Sequence, residues 1–146
     1  MKKILCTTLF AISLFVLGGC SILEEVNSSL NYANESTEYI NELQDFGENA
    51  PSLLQDAATN PDAKAELEAQ ITTLKANINE FNDLEEPSIA ADLHNSVVEK
   101  NEQLLNGIDT AMESGELSVE KLQNTEIFSV INEMTQLLDQ IQQLEL

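Results

Sequence analysis

Leu67, Ile71, Leu74, Ile78 and Phe81 recur at alternating steps of four and three, a spacing that puts side chains on one stripe of an α-helix and on no single face of a strand. Asn60 precedes the run as an N-cap, and Pro61 takes the first helical position, where its missing N–H costs nothing. The pattern predicts a helix from Pro61 to Leu84, of about 24 residues and roughly 36 Å. A helix of that length with one apolar stripe has to bury it against other helices.

The flanking segments repeat the pattern. Ala90, Leu93, Val97, Leu104, Ile108 and Ala111 form a second stripe, with Asn101 in its gap, where a polar residue in a core fixes register. The turn Glu85-Glu86-Pro87-Ser88 is short, with Ser88 as the cap of the next helix, so these two helices are expected to pack antiparallel. Ser114-Gly115 reads as a helix stop with a left-handed glycine, and Ser118 as the next cap. Ile127 or Phe128, then Ile131, Met134, Leu138 and Ile141, carry a last helix after a break near Asn124-Thr125. Upstream, Leu23, Val26, Leu30, Ala33, Thr37 and Ile40 make a first stripe, flanked by Tyr32, Tyr39 and Phe46 at steps of seven. Gly47 and Pro51 are expected to end that helix and leave a short one, Ser52 to Ala58. The expected fold is all-α: an antiparallel bundle of three to four long amphipathic helices. Chain reversals at 47–60, 85–88 and 114–118 argue against an elongated coiled coil.

The N-terminus has a separate logic. Met1-Lys2-Lys3 is a positive leader and Ile4 to Leu17 an apolar run too short to span a bilayer, the layout of an export signal. Leu17, Gly18 and Gly19 precede Cys20, and this tetrad resembles a bacterial lipobox. The resemblance implies peptidase recognition at Leu17, Gly18 and Gly19, lipidation of the Cys20 sulfur, and cleavage that leaves Cys20 first. Residues 1–19 are then a lipoprotein signal peptide, residues 20–29 carry the lipidated Cys and form either a tether or the start of the first helix, and residues 30–146 are an acidic helical bundle domain. Cys6 leaves with the signal, so the mature domain has no thiol for a disulfide and depends on packing.

Charge restricts the partners. The chain has 26 acidic residues against six lysines and no arginine, a net charge of −20. Every acidic residue follows Cys20, and loss of Lys2 and Lys3 takes the mature chain to −22. Such a surface repels nucleic acid and anionic headgroups. It either attracts a basic partner or divalent cations, or serves only to keep a surface helical domain soluble.

Sites for chemistry are scarce. His94 is the only histidine, which excludes di-iron carboxylate sites and histidine-rich zinc sites. Asp83, Glu85 and Glu86 lie together at one turn, and Glu24-Glu25 near the anchor, but no segment has the acids and central glycine of an EF-hand. A Gly-rich phosphate loop and a nucleophile elbow are also missing. No catalytic residue, metal or cofactor is expected. The candidate contacts for a ligand or partner are Tyr32, Tyr39 and His94. The two phenols could form a platform or the flank of a core, and His94 is expected as a core or rim histidine satisfied by an amide.

The whole layout resembles a family of small lipoproteins of the Bacillus group, whose function is uncharacterised and whose mature region is helical. The likeness is carried by Leu17 to Cys20, Tyr39-Ile40, Phe46 with Pro51, Phe81-Asn82 with Leu84, Pro87, His94 and Asn101. It implies a monoderm cell surface and transfers no catalytic residue. The expected function is a non-enzymatic lipoprotein, anchored to the outer face of the cell membrane through Cys20, acting as a protein-interaction module at the envelope. The alternative is a lipoprotein that binds a small molecule, cation or cell-wall fragment. At −22, screening of self-repulsion should stabilise the fold, so the melting temperature should rise from low to moderate sodium chloride. A flat or falling melting temperature in a calorimetric salt series would contradict this.

Overall fold

The computed structural model describes residues 19–142 apart from residue 114, with side chains from residue 26 onward except that of Glu113. Residues 1–18, Leu17 and Gly18 among them, and the side chains of Cys20, Glu24 and Glu25 lie outside the described residues. Helix α1 (Gly19–Ala57) is followed by α2 (Pro61–Asn82), a 3-10 turn (Ser88–Ala90), α3 (Ala91–Ala111), and strands β1 (Met112–Glu113) and β2 (Glu116–Leu117). The chain ends in three short helices, α4 (Val119–Gln123), α5 (Ile127–Thr135) and α6 (Leu138–Gln142). The fold is an all-α bundle of three long helices and a broken fourth.

Neighbouring helices run antiparallel. On α1 and α2, Tyr39 stacks on Phe81 and Glu42 meets Asn77; on α2 and α3, Lys75 meets Asp109 and Asn82 meets Asn101. On α3 and α5, Lys100 pairs with Glu133, and Gly107 backs onto Ile127. Helices α1 and α3 are therefore parallel and diagonal across the core, each packed on α2 and on α5.

The stripe on α2 is buried as its spacing predicts, with Ala63 added at its start. Asn60 caps α2 by accepting from the backbone N–H of Asp62 at 2.9 Å, and Ser118 caps α4 by accepting from that of Lys121 at 3.4 Å. The break after α4 falls at Asn124, and a second break separates α5 from α6. Of the two states open to residues 20–29, the chain adopts the helical one, as the start of α1.

Four details differ from expectation. The first is that Gly47 and Pro51 do not end α1, which runs through both to Ala57. Proline in a helix interior costs about 3 kcal/mol, but the turns around and beyond it bury Ala50, Leu54 and Ala57, and that burial holds the helix together. Gly47 serves packing instead: a Cβ there would stand 2.9 Å from the Ile131 side chain of α5. The second difference lies at 88–90, where Ser88 opens a 3-10 turn and α3 starts only at Ala91 without a side-chain cap.

The third concerns Gly115, whose φ of +86° serves a hairpin turn rather than a helix end. Met112 pairs with Leu117 and Glu113 with Glu116, and Leu117 is buried with its N–H donating to Glu68 on α2 at 2.9 Å. Strands of two residues leave no periodicity to read in a sequence. Finally, the buried arc of α1 is rotated from the expected stripe. Ser29, Tyr32, Ala33, Ser36, Tyr39, Ile40 and Leu43 face inward, whereas Val26 and Leu30 are exposed.

Gly107 shows the same close approach as Gly47, with Ile127 2.8 Å from the site of a Cβ. Alanine normally stabilises a helix interior relative to glycine by about 0.5–1 kcal/mol. At these two positions it should instead lower stability by about 1–3 kcal/mol through overpacking. Chemical denaturation of Gly47→Ala and Gly107→Ala checks the sign.

Candidate functional site

The three side chains singled out for contact, Tyr32, Tyr39 and His94, meet in the core. All are buried, at 2%, 6% and 6% exposure. Tyr32 Oη lies 3.3 Å from His94 Nδ1, and Tyr39 Oη donates to Asn101 Oδ1. Asn101 Nδ2 in turn donates to Asn82 Oδ1 at 2.7 Å. Both tyrosine contacts join residues 62 apart in sequence, so the seven-residue step on α1 matches the seven-residue step on α3. Tyrosine is long enough to cross the bundle diagonally, and the two parallel helices are pinned in register by two rungs.

Phe81 of α2 fills the space between the rungs. Its ring is 4.6 Å from Tyr39 and 5.3 Å from His94, stacked in both cases, and 6.4 Å from Tyr32 in a tilted contact. The tyrosines therefore flank a core and are not a platform, and the partner of His94 is a phenol, not an amide. The third aromatic of the α1 series, Phe46, turns to α5 and stacks on Phe128 at 6.2 Å. Burial pushes both phenols above their ordinary titration range; Glu42 adds to this for Tyr39 and Glu86 for Tyr32, while hydrogen bonds to the phenolates work the other way.

The open concavity lies elsewhere, in the outer groove between α1 and α2. Its larger part, about 820 Å³, has Leu43, Phe46, Leu53 and Leu74 on its floor and Glu42, Asp45, Asp56 and Glu66 among its walls. A smaller part, about 350 Å³, continues toward the α1 N-terminus between Glu35, Glu38 and Glu80. Tyr39, Glu42 and Asn77 border both parts, and Asn77 Nδ2 donates to Glu42 Oε2 at 2.6 Å across the divide. Tyr32 and His94 line neither part.

No lysine lines the groove. Lys64, Lys75 and Lys100 are engaged with Glu68, Asp109 and Glu133. Sequence reading missed the groove because each helix taken alone shows only a solvated acidic face; the concavity arises when α1 and α2 pair. Among the described residues no group of three or more His, Cys, Asp or Glu is placed to hold a metal ion, and no helix is long and apolar enough to cross a membrane.

The raised phenol titration gives a pH signature. A group whose folded-state pKa lies above its unfolded value supports the fold fully below the unfolded value, about 10 for tyrosine, and loses that support as pH rises beyond it. Thermal stability should therefore hold up to about pH 10 and fall as pH rises beyond it, with phenolate absorbance appearing together with unfolding. Tyr39→Phe should blunt that fall. It should also cost about 1–3 kcal/mol near neutral pH, because the buried Asn101 oxygen loses its donor.

Over 145 residues the chain is 32% identical to a protein of Bacillus subtilis (strain 168) named uncharacterized lipoprotein YybP, covering 97% of this chain and 98% of the relative. No solved structure matches. Residues 32–144 match the model of a family of unknown function, DUF6376. With the match running from the first tyrosine rung to the end of the bundle, the chain belongs to the DUF6376 family.

Proposed function

We propose that the protein is a non-enzymatic lipoprotein, held at the outer face of the cell membrane by lipid on Cys20, that binds a protein partner at the envelope. The observation carrying this reading is how the polar aromatic groups are used. Tyr32, Tyr39 and His94 are engaged with one another, Phe81 and Asn101 inside the core, whereas the open concavity is an acidic groove on the outside. A small-molecule site needs polar groups converging on an enclosed pocket; here Tyr32 and His94 face the core, and Tyr39, though it borders the open groove, has its hydroxyl tied to Asn101. An open groove tens of ångströms long suits a macromolecule better.

Lipid attachment is supported by the tetrad Leu17 to Cys20 and by the lipoprotein name of the Bacillus subtilis relative. Two acyl chains hold a protein where one barely does, each buried methylene contributing about 0.8 kcal/mol. Cys20→Ala should abolish palmitate labelling and release the protein from the membrane fraction. Labelling that persists in the variant would remove the anchor assignment. The anchored wild type, cross-linked on intact cells and purified, should recover a protein partner. Recovery of none, together with a thermal shift on adding a glycan or divalent cation, would transfer the function to the ligand class.

A further inference from the structure

We infer that the α1–α2 groove seats a basic amphipathic helix of the partner, with apolar side chains on the Leu43, Phe46, Leu53 and Leu74 floor and Lys or Arg between Glu35, Glu38 and Glu80. This inference rests on the partner-binding reading above and names the partner's chemistry. The groove is bordered along α1 from Glu35 to Asp56, a run of about 32 Å at 1.5 Å per residue. A helix of about six turns matches that length.

Charge complementarity selects among occupants. The walls carry carboxylates from both helices and no cation, so an occupant bearing positive charge relieves their mutual repulsion. A second copy of this chain brings the same negative surface, and three of its mature lysines are engaged on its own carboxylates. Anionic lipid and nucleic acid are repelled for the same reason. A simple cation neutralises the walls but leaves the apolar floor in water. An extended peptide gains little, because a groove between two helices offers no unpaired strand edge for main-chain hydrogen bonds. An amphipathic helix satisfies floor and walls together, the helix-in-groove mode of peptide recognition.

The two compartments also give the occupant a direction. The apolar floor lies toward the α1–α2 connection, and the part ringed by Glu35, Glu38 and Glu80 lies toward the α1 N-terminus. The Asn77–Glu42 hydrogen bond stands between them. The apolar anchors of the bound helix thus fall in the larger part, flanked by basic side chains toward Glu42, Asp45, Asp56 and Glu66, while the end in the smaller part, toward Glu35, Glu38 and Glu80, is the more strongly basic one.

The test uses the full mature lipoprotein in neutral-lipid vesicles and a fluorescent Leu/Lys peptide with helical periodicity, its lysines concentrated toward one end. The controls are a scrambled peptide of the same composition and two variants of equal charge change. One is Glu35→Gln/Glu38→Gln/Glu80→Gln in the groove; the other is Glu99→Gln/Glu102→Gln/Glu120→Gln, three exposed positions outside it. Circular dichroism establishes that both variants keep the helical fold. Binding by anisotropy should weaken about tenfold or more with the scrambled peptide and with the groove variant, and only slightly with the outer variant. Equal binding of the two peptides, equal loss in the two variants, or no binding of the periodic peptide would overturn the inference. In the cell, a cross-linked partner recovered equally well by the groove variant would sink the groove while leaving partner binding standing. Failure to recover any partner with the wild type would count against the partner-binding reading itself.

Discussion

Two hydrogen-bonded rungs across the diagonal of the bundle, Tyr32 to His94 and Tyr39 to Asn101, set the register of everything else. Apolar stripes alone tolerate sliding, since Leu and Ile can exchange partners at modest cost. A buried phenol facing a buried amide cannot slide without leaving both unpaired, at about 1–3 kcal/mol each. Because the two rungs share one sequence offset, a slip of α1 against α3 breaks both at once. Residues 21–146 contain no cysteine to hold this geometry by a disulfide, so specificity falls to these polar pairs and to the close glycine contacts at Gly47 and Gly107.

Those glycines sit on the same two helices as the rungs but engage a third, α5. Gly47 and Gly107 let the residues Ile131 and Ile127 of α5 press against the backbones of α1 and α3, drawing the broken fourth helix close to both. Phe81 of α2 closes the other side by stacking on Tyr39 and His94. The fourth helix can therefore be interrupted at Asn124 and again near Gln136 without loosening the core. Its buried residues, Leu122, Ile127, Val130, Ile131, Met134 and Ile141, continue through the breaks.

How far this was legible from residues alone depended on whether the deciding interaction was local. The α2 stripe, the Asn60 and Ser118 caps and the break near Asn124 are local matters of periodicity and capping, and they stand as read. Asn101 was also legible as a register residue, since a polar side chain on an apolar stripe has few other uses. Gly47 and Pro51 were misread because the local breaking tendency is overridden by burial of Ala50, Leu54 and Ala57. The face of α1 was misread because Ser29 and Ser36 sit on the buried arc and Val26 and Leu30 off it. At the candidate site, the tyrosines and His94 read as possible ligand or partner contacts, and only the parallel diagonal pairing shows that they are engaged in the core. The groove had no signal in either helix alone.

The unbroken α1 also relates anchor to groove. Cys20 and Glu35 lie on one helix, about 22 Å apart along its axis at 1.5 Å per residue. If Cys20 carries lipid at the membrane surface and α1 stands upright, the groove begins well beyond the Debye length of about 8 Å at physiological salt. Repulsion between headgroups and the groove's carboxylates is then screened, while repulsion acting on the lower turns still opposes tilting of the bundle onto the membrane. Val26 and Leu30, exposed near the foot of α1, are level with exposed Ile89, because the rung offset of 62 places Ile89 beside Asn27. In that orientation the apolar side chains left uncovered at that end would lie nearest the membrane and the acidic groove farther from it. A helix that stopped at Gly47 would have lost the distal apolar floor, so the same burial that carries α1 through Pro51 also builds the surface on which a partner can rest.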